Sequence, residues 1–274
     1  MTFGRTVLLA SVTSACVLAT GVPAPAHPSD GARSARAAVY RQVVGAPLTV
    51  ATNHSNGAEV PCPEGMFATG GGFTTDGSAD RVFQTSSFST GRGWYVDFRN
   101  VSGAPRTVRP TVVCSTAQHR NQNGDREEVA RMRAATVFSP RCPEGSTPSG
   151  GGFSGSQVFS WLSAPQHDGS WGVQAVNTRY LAGSLAVTVT CSAEPHQELS
   201  GDEVVILPGE TKDAVIKCPA GQTPSGGGGF VARALLHTIF LSRSFARGDT
   251  WVVTGTNTGS DENGLTASAV CAKL

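Results

Sequence analysis

Six cysteines carry the clearest chemical signal in this chain. Cys62, Cys114, Cys142, Cys191, Cys218 and Cys271 fall two to a repeat in a phrase that is written three times, with a period of 76 to 80 residues. Paired thiols at such regular positions oxidise to a disulfide framework in an exported protein. Two pairings respect the repeat: within each copy (62–114, 142–191, 218–271), or across the joins (114–142, 191–218, with 62–271 closing a ring). The first is preferred. Each bridge then closes a loop of about fifty residues, which chain entropy values at about 4 kcal/mol, and a β unit of this size has a thin core that needs such a staple.

The other residues with chemical potential are less eloquent. Gly70-Gly71-Gly72-Phe73, Gly150-Gly151-Gly152-Phe153 and Gly226-Gly227-Gly228-Gly229-Phe230 could cradle an anion with backbone amides. A phosphate loop needs a lysine and a helix after its last glycine, and a phenylalanine stands here instead. The glycines are therefore read as a bulge or close crossing beneath a tryptophan ring. Glu64 and Glu144 follow Cys-Pro in two copies and would suit a carboxylate pair, but Ala220 takes that place in the third. Asp76, Asp80 and Asp97 occur in the first copy alone and are the remaining candidates for acid–base work. The six histidines show no shared repeat position and no metal-ligand spacing, so neither metal nor cofactor is expected.

Each copy closes on a tryptophan, an asparagine six residues on and a cysteine fourteen further: Trp94, Asn100, Cys114; Trp171, Asn177, Cys191; Trp251, Asn257, Cys271. So strict a spacing assigns the tryptophans to the core and the asparagines to backbone bonding at a strand end. Trp161 and Tyr180 lie outside the phrase and are read as surface contacts, and Asp76 and Asp80 are the further binding candidates.

The elements that must position these residues are strands. Trp94, Val96, Phe98 and Asn100 share one face, with Tyr95, Asp97 and Arg99 on the other. Leu185, Val187, Val189 and Cys191 repeat the alternation. Strands at about ten-residue spacing, separated by Gly, Asn and Pro, give five or six per repeat. Arg126 to Ala135 alone could pass as a helix, but its counterpart from Glu203 to Gly209 is β-branched and broken by Pro-Gly, so both are read as strand. The expected fold is all-β, with three internal repeats (41–115, 116–192, 193–274) in a pseudo-threefold, prism-like, disulfide-stapled body. Three tandem small β-sandwiches are the alternative, and the lack of flexible linkers favours the closed form.

Residues 1–26 read as a secretory signal: Arg5, an apolar run from Val7 to Val22, and Ala24-Pro25-Ala26 as cleavage site. Residues 27–40 follow as a disordered leader. The rival, lipidation at Cys16, lacks the leucine-like residue expected three places before the cysteine. Arg5 is the only charged residue of the signal, so 20 basic and 20 acidic residues remain. Such balance creates no field for nucleic acid or an anionic membrane, and no span is long enough to anchor the mature chain.

The pattern C-P-x-G-x4-G-G-G-F with W-x5-N-x13-C resembles a recurrent unit of small secreted actinobacterial proteins without assigned function. Cys-Pro-x-Gly followed by Gly-Phe is also similar to vitelline membrane outer layer protein I, whose three shorter repeats form a β-prism. That likeness implies a carbohydrate-facing surface at one end of a prism. The expected function is a secreted, non-enzymatic binding or structural protein that recognises cell-wall or environmental polysaccharide. Its contacts would lie in loops that vary between copies: Thr74 to Arg81, Pro165 to Ser170 and Thr258 to Gly264. A polysaccharide hydrolase or lyase using the first-repeat carboxylates is the rival, and a protein-binding inhibitor or adhesin the third reading. An enzyme would gather one asymmetric polar set, whereas a repeat binder would show equivalent pockets.

Overall fold

A computed structural model describes residues 37–77, 81–232 and 238–274. The signal segment, Cys16, most of the leader and Asp80 lie outside the described residues. The first repeat supplies β1 (Tyr40–Val44), β2 (Leu48–Val50), β3 (Ser55–Pro61), β4 (Phe67–Thr75), β5 (Val82–Ser89), β6 (Gly93–Asn100) and β7 (Arg106–Ser115). The second supplies β8 (His119–Asn123), β9 (Glu127–Val129), β10 (Ala134–Phe138), β11 (Thr147–Ser156), β12 (Val158–Pro165), β13 (Trp171–Asn177) and β14 (Gly183–Ser192). The third supplies β15 (His196–Ser200), β16 (Val204–Ile206), β17 (Thr211–Lys217), β18 (Gln222–Val231), β19 (Ile239–Arg247), β20 (Thr250–Asn257) and β21 (Asn263–Lys273). The described residues hold no helix, and the stretch from Arg126 to Ala135 is strand, turn, strand. Each copy thus has seven strands rather than five or six, and Tyr40, counted with the leader, already belongs to β1.

These strands form three seven-stranded antiparallel sheets, and none of them belongs to a single repeat. The first sheet runs β1-β7-β4-β19-β20-β17, with β2 also on β7. The second runs β3-β6-β5-β11-β14-β8, with β9 on β14. The third runs β10-β13-β12-β18-β21-β15, with β16 on β21. Every repeat keeps its first, second, fourth and seventh strands in one sheet and sends its third, fifth and sixth to the next. The exchange closes on itself, because the third repeat hands its strands back to the sheet of the first. Three tandem sandwiches are excluded by this sharing. A trace of that alternative survives in the packing: each repeat buries its own core between its two half-sheets, as Val60, Phe73, Trp94, Phe98 and Val112 do in the first.

The repeated phrase explains both the staple and the close packing. Pro63, Pro143 and Pro219 each accept a bond from the amide three residues on, and the glycine between lies at φ of 77°, 78° and 76° at Gly65, Gly145 and Gly221. Only glycine enters that left-handed region without strain. The disulfides join Cys62 to Cys114, Cys142 to Cys191 and Cys218 to Cys271, with Cα separations of 5.7, 5.6 and 5.8 Å. Each ties the start of one strand exchange to the strand that closes the repeat.

The middle glycine of each triplet lies under an indole. A Cβ on Gly71, Gly151 or Gly227 would strike the ring of Trp94, Trp171 or Trp251 respectively. All three rings are buried, and their N–H groups donate to Ser87, Ser163 and Ser244 at 2.8, 3.0 and 3.0 Å. The first glycine of each triplet lies where the repeats meet. Gly70 and Gly150 both abut the Cα of Gly226. Beside them, bulge residues bond across copies: the Thr69 hydroxyl donates to Ser225 O at 2.5 Å, and the Ser225 hydroxyl to Ser149 O at 2.7 Å. One ring from each repeat, Phe83, Phe159 and Phe240, also meets at this junction, with centroids 5.1 to 5.7 Å apart.

Candidate binding face

The three asparagines are clamps of one design. Asn100 donates to Val50 O and Ala104 O at 3.0 and 2.9 Å and accepts from the Ser102 amide at 2.9 Å. Asn177 makes the same three bonds with Val129, Leu181 and Arg179, and Asn257 with Ile206, Asp261 and Gly259. Each fixes the turn that follows the sixth strand of its repeat. Asn177 therefore sets the backbone that carries Arg179 and Tyr180.

The carboxylates of the first repeat do not come together. Asp76 follows β4 of the first sheet and pairs with Arg109 at 3.0 Å, whereas Asp97 lies on β6 of the second sheet. Glu64 and Glu144 are exposed in their turns. Among the described residues, no group of three or more His, Cys, Asp and Glu side chains is placed to hold a metal. Tyr180 is 84% exposed, while Trp161, expected at the surface, is 3% exposed. The cause is a bulge between Ser160 and Leu162, which turns Trp161 into the packing of the third repeat.

The histidines hold a further correction. His119 and His196 open β8 and β15, the same strand of the second and third copies, and Tyr40 opens its equivalent β1. The three meet at the junction: Tyr40 Oη lies 3.2 Å from His196 Nε2, and the imidazoles are 6.1 Å apart. Burial, followed by the neighbouring His196, pushes the His119 pKa down to about 3.

On the faces turned away from the cores, each sheet carries a groove at the same register. One wall is the first strand of a repeat and the other is the fifth strand of the copy before it. In the second sheet the groove measures about 490 Å³ and presents Asn121, Asn123, Thr188, Arg126 and Phe88. In the third sheet it measures about 280 Å³, with Glu198, Ser268, Gln166, His167 and Phe230. In the first it shrinks to about 30 Å³ around Gln42, Val44 and Thr111. Asn121, Glu198 and Gln42 are the third residues of their strands, and Thr188, Ser268 and Thr111 stand three before the closing cysteines. Gln42 closes its own groove by donating to Gly248 O at 2.6 Å. In the second sheet the polar groups are braced but open: Thr188 donates to Asn123 Oδ1 at 2.9 Å, and Arg126 reaches Ser184 and Ser154 at 2.8 and 3.1 Å. In the third sheet burial pushes the Glu198 carboxyl up. Of the variable loops named above, the one from Pro165 contributes to a groove; the rest of the described lining comes from strands and from the short connections that carry Thr90, Gly124 and Arg126.

A cleft of about 160 Å³ also opens on the second sheet, beside Asp97, Arg99, Gln157 and Arg179. Burial raises the Asp97 carboxyl, and burial together with the Arg179 charge lowers the Arg99 guanidinium. The equivalent places elsewhere are filled. Asp97, Gln174 and Thr254 each stand three after the repeat tryptophan. The Trp161 N–H donates to Gln174 Oε1 at 2.9 Å, and Arg243 lies on Thr254 Oγ1 and Asp213 Oδ1, both at 2.8 Å. Alternation puts Asp97 and Arg99 on one strand face, opposite Trp94, but cannot bring Arg179, from another repeat, to the same cleft.

Searches of known proteins add no family to this picture: no protein-family description matches the chain, and no curated protein matches it.

Proposed function

We propose that this is a secreted, non-enzymatic binding protein that recognises polysaccharide through the outward face of its second sheet. The observation that carries the reading is the set of three grooves at one register, one per sheet, each lined differently. A scaffold that keeps a position three times and varies its lining is organised as a binder, since catalysis needs one convergent set of groups. The second-sheet groove is the largest and offers amides, hydroxyls and a guanidinium beside Phe88 and the adjacent Tyr95 ring, 5.4 Å away. Such a mixture suits a ligand with many hydroxyl groups and apolar ring faces. Export agrees with three disulfides and with the absence, among the described residues, of any helix long and apolar enough to cross a membrane. The hydrolase or lyase reading would need Asp76 and Asp97 in one cleft, and they stand on different sheets.

The test is co-sedimentation of the oxidised protein with purified bacterial cell wall, chitin and cellulose, using soluble sugars as competitors. Saturable, sugar-competed binding is expected on at least one matrix, and Asn123→Ala with Arg126→Ala should abolish it. Glu198→Gln, in the third-sheet groove, should leave it intact. Failure to sediment with any matrix, or full binding by the second-sheet double variant, would overturn the assignment.

A further inference from the structure

In the cleft beside Arg99 a repeated position has been left open between two guanidinium groups. Three sheets share the site. An indole occupies it in the third and a guanidinium bonded to a carboxylate occupies it in the first. In the second sheet the bulge residue is the small Thr85, and the space above it is empty of side chain. Two guanidinium groups border that space. Arg99 Nε is buried with no hydrogen-bond partner among the described residues. Arg179 spends its Nε on Gln157 Oε1 at 3.2 Å. Neither arginine forms an ion pair among the described residues, although Asp97 lines the same cleft.

A buried, unbonded guanidinium nitrogen is costly, and two like charges side by side add to that cost. Both penalties vanish when a planar anion enters, since a guanidinium matches a carboxylate with two parallel N–H···O bonds. We propose that Arg99 and Arg179 clamp the carboxylate of a uronic acid residue within an acidic polysaccharide. This rests on the polysaccharide-binding reading above and narrows its ligand. The cleft is small against the roughly 300–1,000 Å³ of sites that enclose a whole drug-sized ligand, so it takes one charged end of a longer chain. That chain has a polar track to follow. Ser156 beside the cleft lies 3.1 Å from Ser184, and Ser184 accepts from Arg126 in the groove. Ser55 and Asp97 offer partners to sugar hydroxyls, and Tyr180, fully outside on the clamped turn that holds Arg179, offers a ring face.

The experiment is calorimetric titration of the oxidised protein with an oligogalacturonate, the same oligomer with its carboxyls reduced to alcohols, and inorganic phosphate. The carboxylated oligomer is expected to bind at least tenfold tighter than the reduced one, with the difference shrinking as salt rises. Arg99→Gln and Arg179→Gln should each erase that difference without lowering the melting temperature. Arg99→Lys should restore charge but not the paired bonds, and recover only part of it. Equal binding of the two oligomers overturns the clamp and leaves the polysaccharide reading standing. Binding of neither overturns the clamp, and the sedimentation test above then decides the polysaccharide reading. Phosphate binding as tight as that of the carboxylated oligomer overturns the uronate assignment in favour of a general anion site.

Discussion

The threefold junction and the outward sheet faces are built from the same repeated strands, yet they differ in how much the copies agree. At the junction most positions are shared or nearly so: Gly70, Gly150 and Gly226; Thr69, Ser149 and Ser225; Phe83, Phe159 and Phe240. On the faces, equivalent positions hold Asn121, Glu198 and Gln42, or Asp97, Gln174 and Thr254. The reason is steric. A junction residue packs against its own counterparts, so a change in one copy is felt by all three, while a face residue meets solvent or its own neighbours. Binding chemistry can differ among copies only where the symmetry does not constrain it.

The sharpest way to break this comparison is to treat the junction as if it were a face. A Cβ on Gly150 would run into the carbonyl oxygen of Thr69, with Gly226 Cα close behind. Backbone on both sides cannot yield as a flexible side chain can, so Gly150→Val is expected to prevent the closed fold altogether. Near-UV circular dichroism and titration of free thiols after oxidative refolding would read this. Ser154→Val, on the groove side of the same strand, should refold normally. Native spectra for both variants would show that the junction does not govern closure.

Next in size comes the indole. Trp171 is fully buried on the Gly151 backbone, and truncating a buried tryptophan costs about 3–5 kcal/mol. Trp171→Ala should lose that much in urea unfolding of the oxidised protein. Tyr180→Ala, nine residues on and exposed, should stay within about 0.5 kcal/mol of the parent. Similar losses for the two would mean that the turn after β13 bears on the core as heavily as the tryptophan does.

These contrasts also show what the sequence could and could not reveal. Alternation in 94–100 and 185–191 told which side chains face inward, because period two is a property of one strand. It could not tell which strands are neighbours, so the exchange of the third, fifth and sixth strands stayed hidden. The count of strands per repeat came out low because β2, β9 and β16 have three residues each, too few to display a period, and only the comparison of 126–135 with 203–209 marked the last two as strand. Trp161 was misplaced by a single bulge, which reverses facing from that point on. The shared histidine position was masked by Tyr40 in the first copy and by spacings to the first cysteine of 22, 23 and 22 residues. The phenylalanine triad left a similar trace: Phe83, Phe159 and Phe240 precede their tryptophans by 11, 12 and 11 residues. The cleft was the least legible feature, because Arg99 and Arg179 belong to different repeats and share a cleft only through the exchange.

An effect that appears only in acid lies where the junction itself departs from symmetry, at Tyr40, His119 and His196. His119 is 8% exposed, its Nδ1 lies 2.8 Å from the Ser149 hydroxyl, and its Nε2 is buried without a partner among the described residues. Since Ser149 donates to Thr190 O at 3.0 Å, its oxygen is left to accept from Nδ1–H, which fixes the neutral tautomer with a bare Nε2. Protonation would bury a charge beside His196, itself lowered by burial, and this holds the His119 pKa at about 3. In the unfolded chain a histidine titrates near about 6.5. Between those values the unfolded state binds the extra proton, so the contribution of His119 is complete above pH 6.5 or so and is lost as the pH falls toward 3. The slope for one such proton is about 1.4 kcal/mol per pH unit. Urea unfolding from pH 7.5 to 4 should therefore show stability falling with acid, and His119→Gln should flatten the fall by one proton's worth. An unaltered slope in His119→Gln would mean that the junction accepts a charged imidazole, and that its three copies are less tightly bound to one another than their packing implies.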